Sequence, residues 1–342
     1  MRRLMFLLSG EHPSLPPAEV FSTVRAERRA YRLDEKLDQV LTVETKAEPE
    51  LLAGRLAMTH WIGRHLCTST VGEVLDAVGS SDIVDLIPHG KSFAVRVKRV
   101  GRYSSEVDAN RLAKEIADLI RSEVEFEVNL ATPEVEVFVV LTEEKCEIGL
   151  TESRVDRGQF ERRRPKRRAV FHPGTLMPTL ARCMVNLART PRGGTLFDPF
   201  CGVGGILIEA GLIGAKPVGI DIDRRLIDGA RENLEEVGVG DYRLSVGDAT
   251  ELSLEGEADA IATDPPYGRQ ATTGGSELED LYERTLPGLA QVLKRRRYLC
   301  ITSPLGLELE EIAEGAGLKL KQKHEQRVHK TLTRNIYVFR RD

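Results

Sequence analysis

Asp264 is followed at once by two prolines and a tyrosine, Pro265, Pro266 and Tyr267, and then by Gly268, all directly after the apolar run Ala260, Ile261, Ala262. Proline ends ladder hydrogen bonding and fixes the backbone, so a buried strand stops here and continues as a stiff loop presenting a carboxylate, a carbonyl and a ring. Such a loop can accept both N–H bonds of a planar primary amine and stack on the heterocycle that bears it. Further acids stand upstream: Asp198 opens "DPFCGVGG", Asp221 lies in "GIDID" and Asp248 in "GDAT". Gly202, Gly204 and Gly205 let a ligand approach the backbone, Asp221 is placed to accept from ribose hydroxyls, and Asp248 from an adenine amino group. A dinucleotide fits poorly, because Leu207 stands where that fingerprint needs a third glycine and Asp198 would repel a pyrophosphate. S-adenosylmethionine has an ammonium, a sulfonium and no phosphate, and suits an acidic pocket.

These residues need a frame. "TLFD", the glycine loop, a helix, "KPVGIDID", a second helix, "DYRLSV" and the strand before Asp264 read as a βαβ series whose loops open beyond the carboxyl ends of a parallel sheet. Asp223 heads the helix "RRLIDGARENL" and is expected to be its N-cap rather than a ribose contact. Further upstream, residues 1–54 read as a small α+β unit. Helical spacing is expected in 52–66, "LAGRLAMTHWIGRHL", and again in 70–79. A strand over 92–100, a helix over 109–124 and strands over 134–142 and 145–151 complete the amino-terminal half.

The totals bound the answer. With 342 residues, 41% hydrophobic and 30% charged, the chain is expected to form two or three globular domains. No apolar run is long enough to span a bilayer, and the apolar stretch near the start is short for a signal peptide, so a cytoplasmic location is expected. Cys67, Cys146, Cys183, Cys201 and Cys300 are too scattered for a disulfide framework or a zinc site, and no metal is expected. The net charge of -4 hides an uneven distribution: residues 157–174 carry seven Lys or Arg against one Glu. Arg162, Arg163, Arg164, Lys166, Arg167 and Arg168, with Phe160 and Phe171 among them, are expected to bind phosphates, the alternative being a solvated linker. The tail 327–342 reads as a strand hairpin whose Arg327, Lys330 and Arg334 either touch phosphates or line a solvated edge.

"FAVRVKRVGRYSS" and "VNLATPEVEVFVVL" resemble the THUMP domain, an RNA-binding module, and "LLSGEHPSLPPAEV" resembles the ferredoxin-like unit that precedes it in one enzyme group. "DPFCGVGG", "GIDID", "GDAT" and "DPPYG", in that order, resemble the motifs of class I methyltransferases acting on exocyclic amino groups. With "FERRRPKRRAVFHPGTLMPTLARCMVNLAR", the whole chain resembles the archaeal tRNA guanosine-10 N2-methyltransferase family. The resemblance implies a Rossmann-like α/β methyltransferase domain (171–342) behind a ferredoxin-like unit (1–54), a THUMP domain (55–152) and a basic linker (153–170). It implies a monomer that takes S-adenosylmethionine and holds tRNA by its acceptor end through THUMP. Asp264, Pro265, Pro266 and Tyr267 would be catalytic. Asp198, Cys201, Gly202, Gly204, Asp221, Ile222, Asp248, Ala249 and Asp264 would line the cofactor, with His172 and Thr179 as weaker candidates. Three alternatives share part of this pattern: a guanosine-6 N2-methyltransferase, a DNA adenine N6-methyltransferase and a catalytically dead RNA-binding protein.

Overall fold

The computed structural model describes residues 1–88, 90–123, 127–252, 257–266, 275–329 and 332–342. The chain divides into two compact units, one comprising 1–17, 29–54 and 58–156, the other 18–28, 55–57 and 157–342. Among the described residues no helix is long and apolar enough to cross a membrane.

The first unit is built on one eight-stranded sheet. Its elements run β1 (Arg2–Leu8), β2 (Tyr31–Leu37), β3 (Val40–Thr45), β4 (Thr59–Thr70), β5 (Ser92–Arg99), β6 (Glu127–Val128), β7 (Val135–Thr142) and β8 (Lys145–Arg154). Helices α1 (Leu15–Ala26), α2 (Pro49–Ala53), α3 (Val74–Gly79), α4 (Ile83–Leu86) and α5 (Ala109–Glu123) are interspersed, most of α1 belonging to the second unit. The strand order is β2-β3-β1-β4-β8-β7-β5-β6, so the sheet is continuous across the boundary expected at residue 54.

Residues 59–70 correct the helix expected over 52–66. They form β4, paired antiparallel with β1 on one side and with β8 on the other. A strand inside a sheet covered on both faces need not alternate. Trp61 and Ile62 are adjacent and both fully buried, and Trp61 stacks on Phe138 with ring centroids 4.7 Å apart. That run of apolar residues imitates helical spacing. The helix expected at 70–79 is present as a 3-10 turn, Val71–Glu73, leading into α3.

The second unit continues with α6 (Gly158–Arg162), α7 (Pro178–Leu187), β9 (Thr195–Asp198), α8 (Gly205–Leu212), β10 (Lys216–Asp221), α9 (Arg224–Glu236), β11 (Arg243–Val246) and β12 (Ala258–Thr263). It closes with α10 (Gly275–Val292), β13 (Leu293–Pro304), α11 (Glu310–Gly315), β14 (Leu318–His329) and β15 (Leu332–Arg341). The seven strands are ordered β11-β10-β9-β12-β13-β15-β14. Every neighbouring pair from β11 to β13 is parallel, whereas β15 runs antiparallel to both β13 and β14. Phe197, Ile261, Leu286, Leu299, Ile301 and Phe339 meet in one apolar layer beneath the strand ends.

Candidate active site

The strand order reverses between β9 and β12, and at such a point the loops leaving the two strands part to form a crevice. Asp198 is the last residue of β9, and Asp264 follows the last residue of β12. Thr263 ties them together, its hydroxyl donating to Asp198 Oδ1 at 2.7 Å, and the Phe200 N–H donates to the same oxygen at 3.2 Å. Asp198 is 1% exposed, and burial pushes its carboxyl up to about 7, with the charges of Asp264 and Asp221 adding to the effect. The folded chain therefore keeps a proton that the unfolded chain releases near pH 4. Stability is fullest below that pH, falls as pH rises to about 7, and then levels. Asp198→Asn should abolish this fall, so thermal midpoints of the variant and the parent are expected to diverge in the variant's favour between pH 5 and pH 8.

Two glycines shape the loop after β9. Gly202 has φ +50° and Gly204, the N-cap of α8, has φ +83°, a left-handed region that a side chain strains to enter. Asp221 holds the loop from the next strand: its Oδ2 accepts the Gly202 N–H at 2.9 Å and its Oδ1 the Asp223 N–H at 3.0 Å. Asp223 caps α9, accepting from the Arg225 N–H at 2.8 Å, as expected. Cys201 faces inward, its Sγ 3.0 Å from where a Cβ on Gly219 would stand, and burial raises its thiol far from reactivity. It shapes the loop through its main chain, the N–H donating to Ile220 O and the carbonyl accepting from Gly204.

Asp248, just past β11, accepts from the Thr250 N–H and hydroxyl at 2.8 Å each, which holds its carboxyl below the usual range. Ala249 beside it is buried, whereas Ile222 is 73% exposed next to Asp221. Two carboxylates at the ends of adjacent strands, with an exposed aliphatic side chain between them in sequence, form a donor set and platform suited to a nucleoside carrying no phosphate. The residues fit S-adenosylmethionine.

Asp264 is held from the far side of the sheet. The Thr302 hydroxyl of β13 donates to its Oδ1, and Arg334 Nη1 of β15 lies 3.7 Å from the same oxygen. Pro265 is buried and Pro266 exposed. Tyr267 and Gly268 lie outside the described residues, as does Lys330. Arg334, expected at a phosphate or a solvated edge, is 7% exposed and also donates through Nε to Gln326 at 2.9 Å. Thr302 and Arg334 are the site residues that sequence reasoning did not find. The only available signal is pairing: Arg334 lies opposite Pro304, two residues beyond Thr302.

The basic segment is split by the fold. Arg163 forms a two-pronged pair with Glu209 of α8, both contacts at 3.0 Å, and Arg182 of α7 reaches the same carboxylate at 2.8 Å. Arg168 is 8% exposed. These two arginines point inward and cannot meet a phosphate at the surface. Arg162, Arg164, Lys166 and Arg167 remain exposed, Arg164 pairing with Glu161 at 2.7 Å.

A parallel α/β sheet with one reversed strand next to its edge, a glycine loop leading to two strand-end acids, and an Asp-Pro-Pro turn at the switch point define an S-adenosylmethionine-dependent class I methyltransferase directed at amino groups. The family model described as RMKL-like, methyltransferase domain, matches residues 165–336, and the THUMP domain model matches residues 69–151. Over 339 residues the chain is 34% identical to the tRNA (guanine(10)-N2)-dimethyltransferase of Methanothermobacter thermautotrophicus, covering 99% of each. To the tRNA (guanine(6)-N2)-methyltransferase of Archaeoglobus fulgidus it is 29% identical over 262 residues, covering 67% of this chain and 65% of the relative. The solved structure of TrmN from Thermus thermophilus matches the fold with a TM-score of 0.55 at 19% identity, covering 99% of this chain and 100% of that one. The chain belongs to the RMKL-like methyltransferase family, and within it to the THUMP-bearing group of the archaeal tRNA (guanine(10)-N2)-dimethyltransferases.

Proposed function

We propose that this protein methylates the exocyclic N2 of guanosine 10 in tRNA, first to N2-methyl- and then to N2,N2-dimethylguanosine. The observation that carries the chemistry is the Asp264 carboxylate, anchored through Oδ1 by Thr302 and Arg334 at the mouth of the β9/β12 crevice. The choice of guanosine 10 rests on the full-length likeness to the Methanothermobacter protein, against a shorter and weaker likeness to the guanosine-6 enzyme.

Asp221 and Asp248 would hold the ribose and the adenine, with Ile222 under the ring. When bound, S-adenosylmethionine supplies an electrophilic methyl group on its sulfonium. The guanine amino group is a weak nucleophile because its lone pair is delocalised into the ring. Asp264 and the Pro265 carbonyl accept its two N–H bonds, fix its plane and aim the nitrogen, which contributes mainly through orientation and electrostatics. Tyr267 would stack on the extruded base. The nitrogen loses one proton for each methyl gained.

The THUMP-bearing unit would engage the acceptor end of tRNA, with the chain acting as a monomer, while Arg162, Arg164, Lys166 and Arg167 contact backbone phosphates. Reversing those four charges should lower tRNA affinity at least tenfold near physiological salt and flatten the salt dependence by about 0.7 to 0.9 per lost phosphate contact. Filter binding across a salt series checks this, and an unchanged slope would remove the segment from the interface. Methyl transfer to a tRNA transcript tests the reaction itself.

A further inference from the structure

Arg168 was expected to meet RNA, yet it is buried in the second unit, and its Nη1 and Nη2 have no hydrogen-bond partner among the described residues. Nε alone is engaged, donating to the Arg163 carbonyl at 3.0 Å. A guanidinium with both terminal nitrogens orphaned out of water is costly, and such groups in a native fold ordinarily meet an anion. Its place says which one. Nη1 lies 3.4 Å from the point where a Cβ on Gly205 would stand, and Thr175 Cγ2 lies 3.2 Å from it. Gly205 is the first residue of α8, whose leading N–H groups have no acceptor within the helix and carry the positive end of its dipole. Arg163, on the far side, is already engaged with Glu209, which leaves that carboxylate shared between Arg163 and Arg182.

We propose that Arg168 and the amino end of α8 hold the carboxylate of the cofactor's amino-acid tail. This rests on the cofactor assignment above. Asp221 and Asp248 fix the nucleoside on the β10–β11 side, and the reacting methyl must face Asp264 beyond β12. The tail then crosses the glycine loop between β9 and α8, where the orphaned guanidinium waits. Glu209 and Glu236 are the acids nearest Arg168 and Arg163 the nearest cation. A surface phosphate of RNA does not reach a side chain this buried, whereas a small carboxylate entering with the cofactor does. Gly205 matters for the same reason, since a side chain there would stand against both Arg168 and Thr175.

The test compares S-adenosylmethionine with decarboxylated S-adenosylmethionine, which keeps the amine and the sulfonium, by titration calorimetry of the full chain without tRNA. The parent should prefer the carboxylated form by about 10- to 100-fold, in the range of a charge-assisted bond. In Arg168→Met that preference should shrink to about twofold or less, while affinity for the decarboxylated form stays near the parent value. Arg168→Lys, which restores the charge without the planar fork, should recover part of the preference. A preference that persists undiminished in Arg168→Met would overturn the assignment and leave the cofactor reading intact. Failure of the parent to bind either ligand would instead overturn the cofactor reading itself. Should Arg168→Met prove unstable, Gly205→Ala provides a second variant, expected to weaken the carboxylated ligand more than the decarboxylated one.

Discussion

Asp264→Ala should lower methyl transfer by roughly a thousandfold while leaving tRNA affinity unchanged, as expected for a side chain that acts on the reacting amine alone. The loss should fall on kcat. Asp264→Asn keeps one acceptor oxygen and should lose less, because orientation survives while the negative charge goes. Thr302→Val removes the hydroxyl that donates to Asp264 Oδ1, and a loss of about tenfold with an unchanged KM for tRNA would mark it as a positioning residue. Single-turnover transfer with saturating enzyme, run beside a binding assay for each variant, separates these outcomes. A parallel collapse of binding and transfer in Asp264→Ala would make the residue structural rather than catalytic.

The largest effect on stability is expected at Glu209. Its carboxylate is fully buried and takes both Arg163 and Arg182, the latter 1% exposed. Burial pulls the Arg182 guanidinium below its ordinary range, and Glu209 is the chief group opposing that pull. Removing one member of a buried ionic cluster strands the others, which costs about 3 to 5 kcal/mol. Glu209→Ala strands two cations at once and should sit at the upper end of that range. Glu209→Gln keeps acceptors and shape and should cost less. Denaturant unfolding followed by fluorescence and circular dichroism gives the numbers. A Glu209→Ala loss below about 1 kcal/mol would mean that water or rearranged side chains replace the carboxylate. Because α8 begins at the glycine loop, the same variant should also weaken cofactor binding.

What the sequence made legible was local. Asp198, Asp221, Asp248 and Asp264 all stand at or just beyond strand ends, because a short apolar run closed by an acid and a glycine or proline is a strong local signal. The Asp223 cap was legible for the same reason, its partner being two residues away. The rest depends on what pairs across the fold. Trp61 and Ile62 read as helical because β4 is covered on both faces and alternation disappears. Arg163 and Arg168 read as a solvated or RNA-facing run because charge in a sequence carries no direction, and the Glu209 that binds one of them lies 46 residues on. Arg334 is brought near Asp264 only by insertion of β15 beside β13, a feature of sheet order that no local pattern encodes.

The central claim is tested most directly by methyl transfer from labelled S-adenosylmethionine to an unmodified tRNA transcript and to the same transcript with guanosine 10 replaced by adenosine, followed by nucleoside analysis. Label on the first transcript alone, recovered as N2-methyl- and N2,N2-dimethylguanosine, is the predicted result. Equal label on both would contradict it and place the methylated base elsewhere in the tRNA.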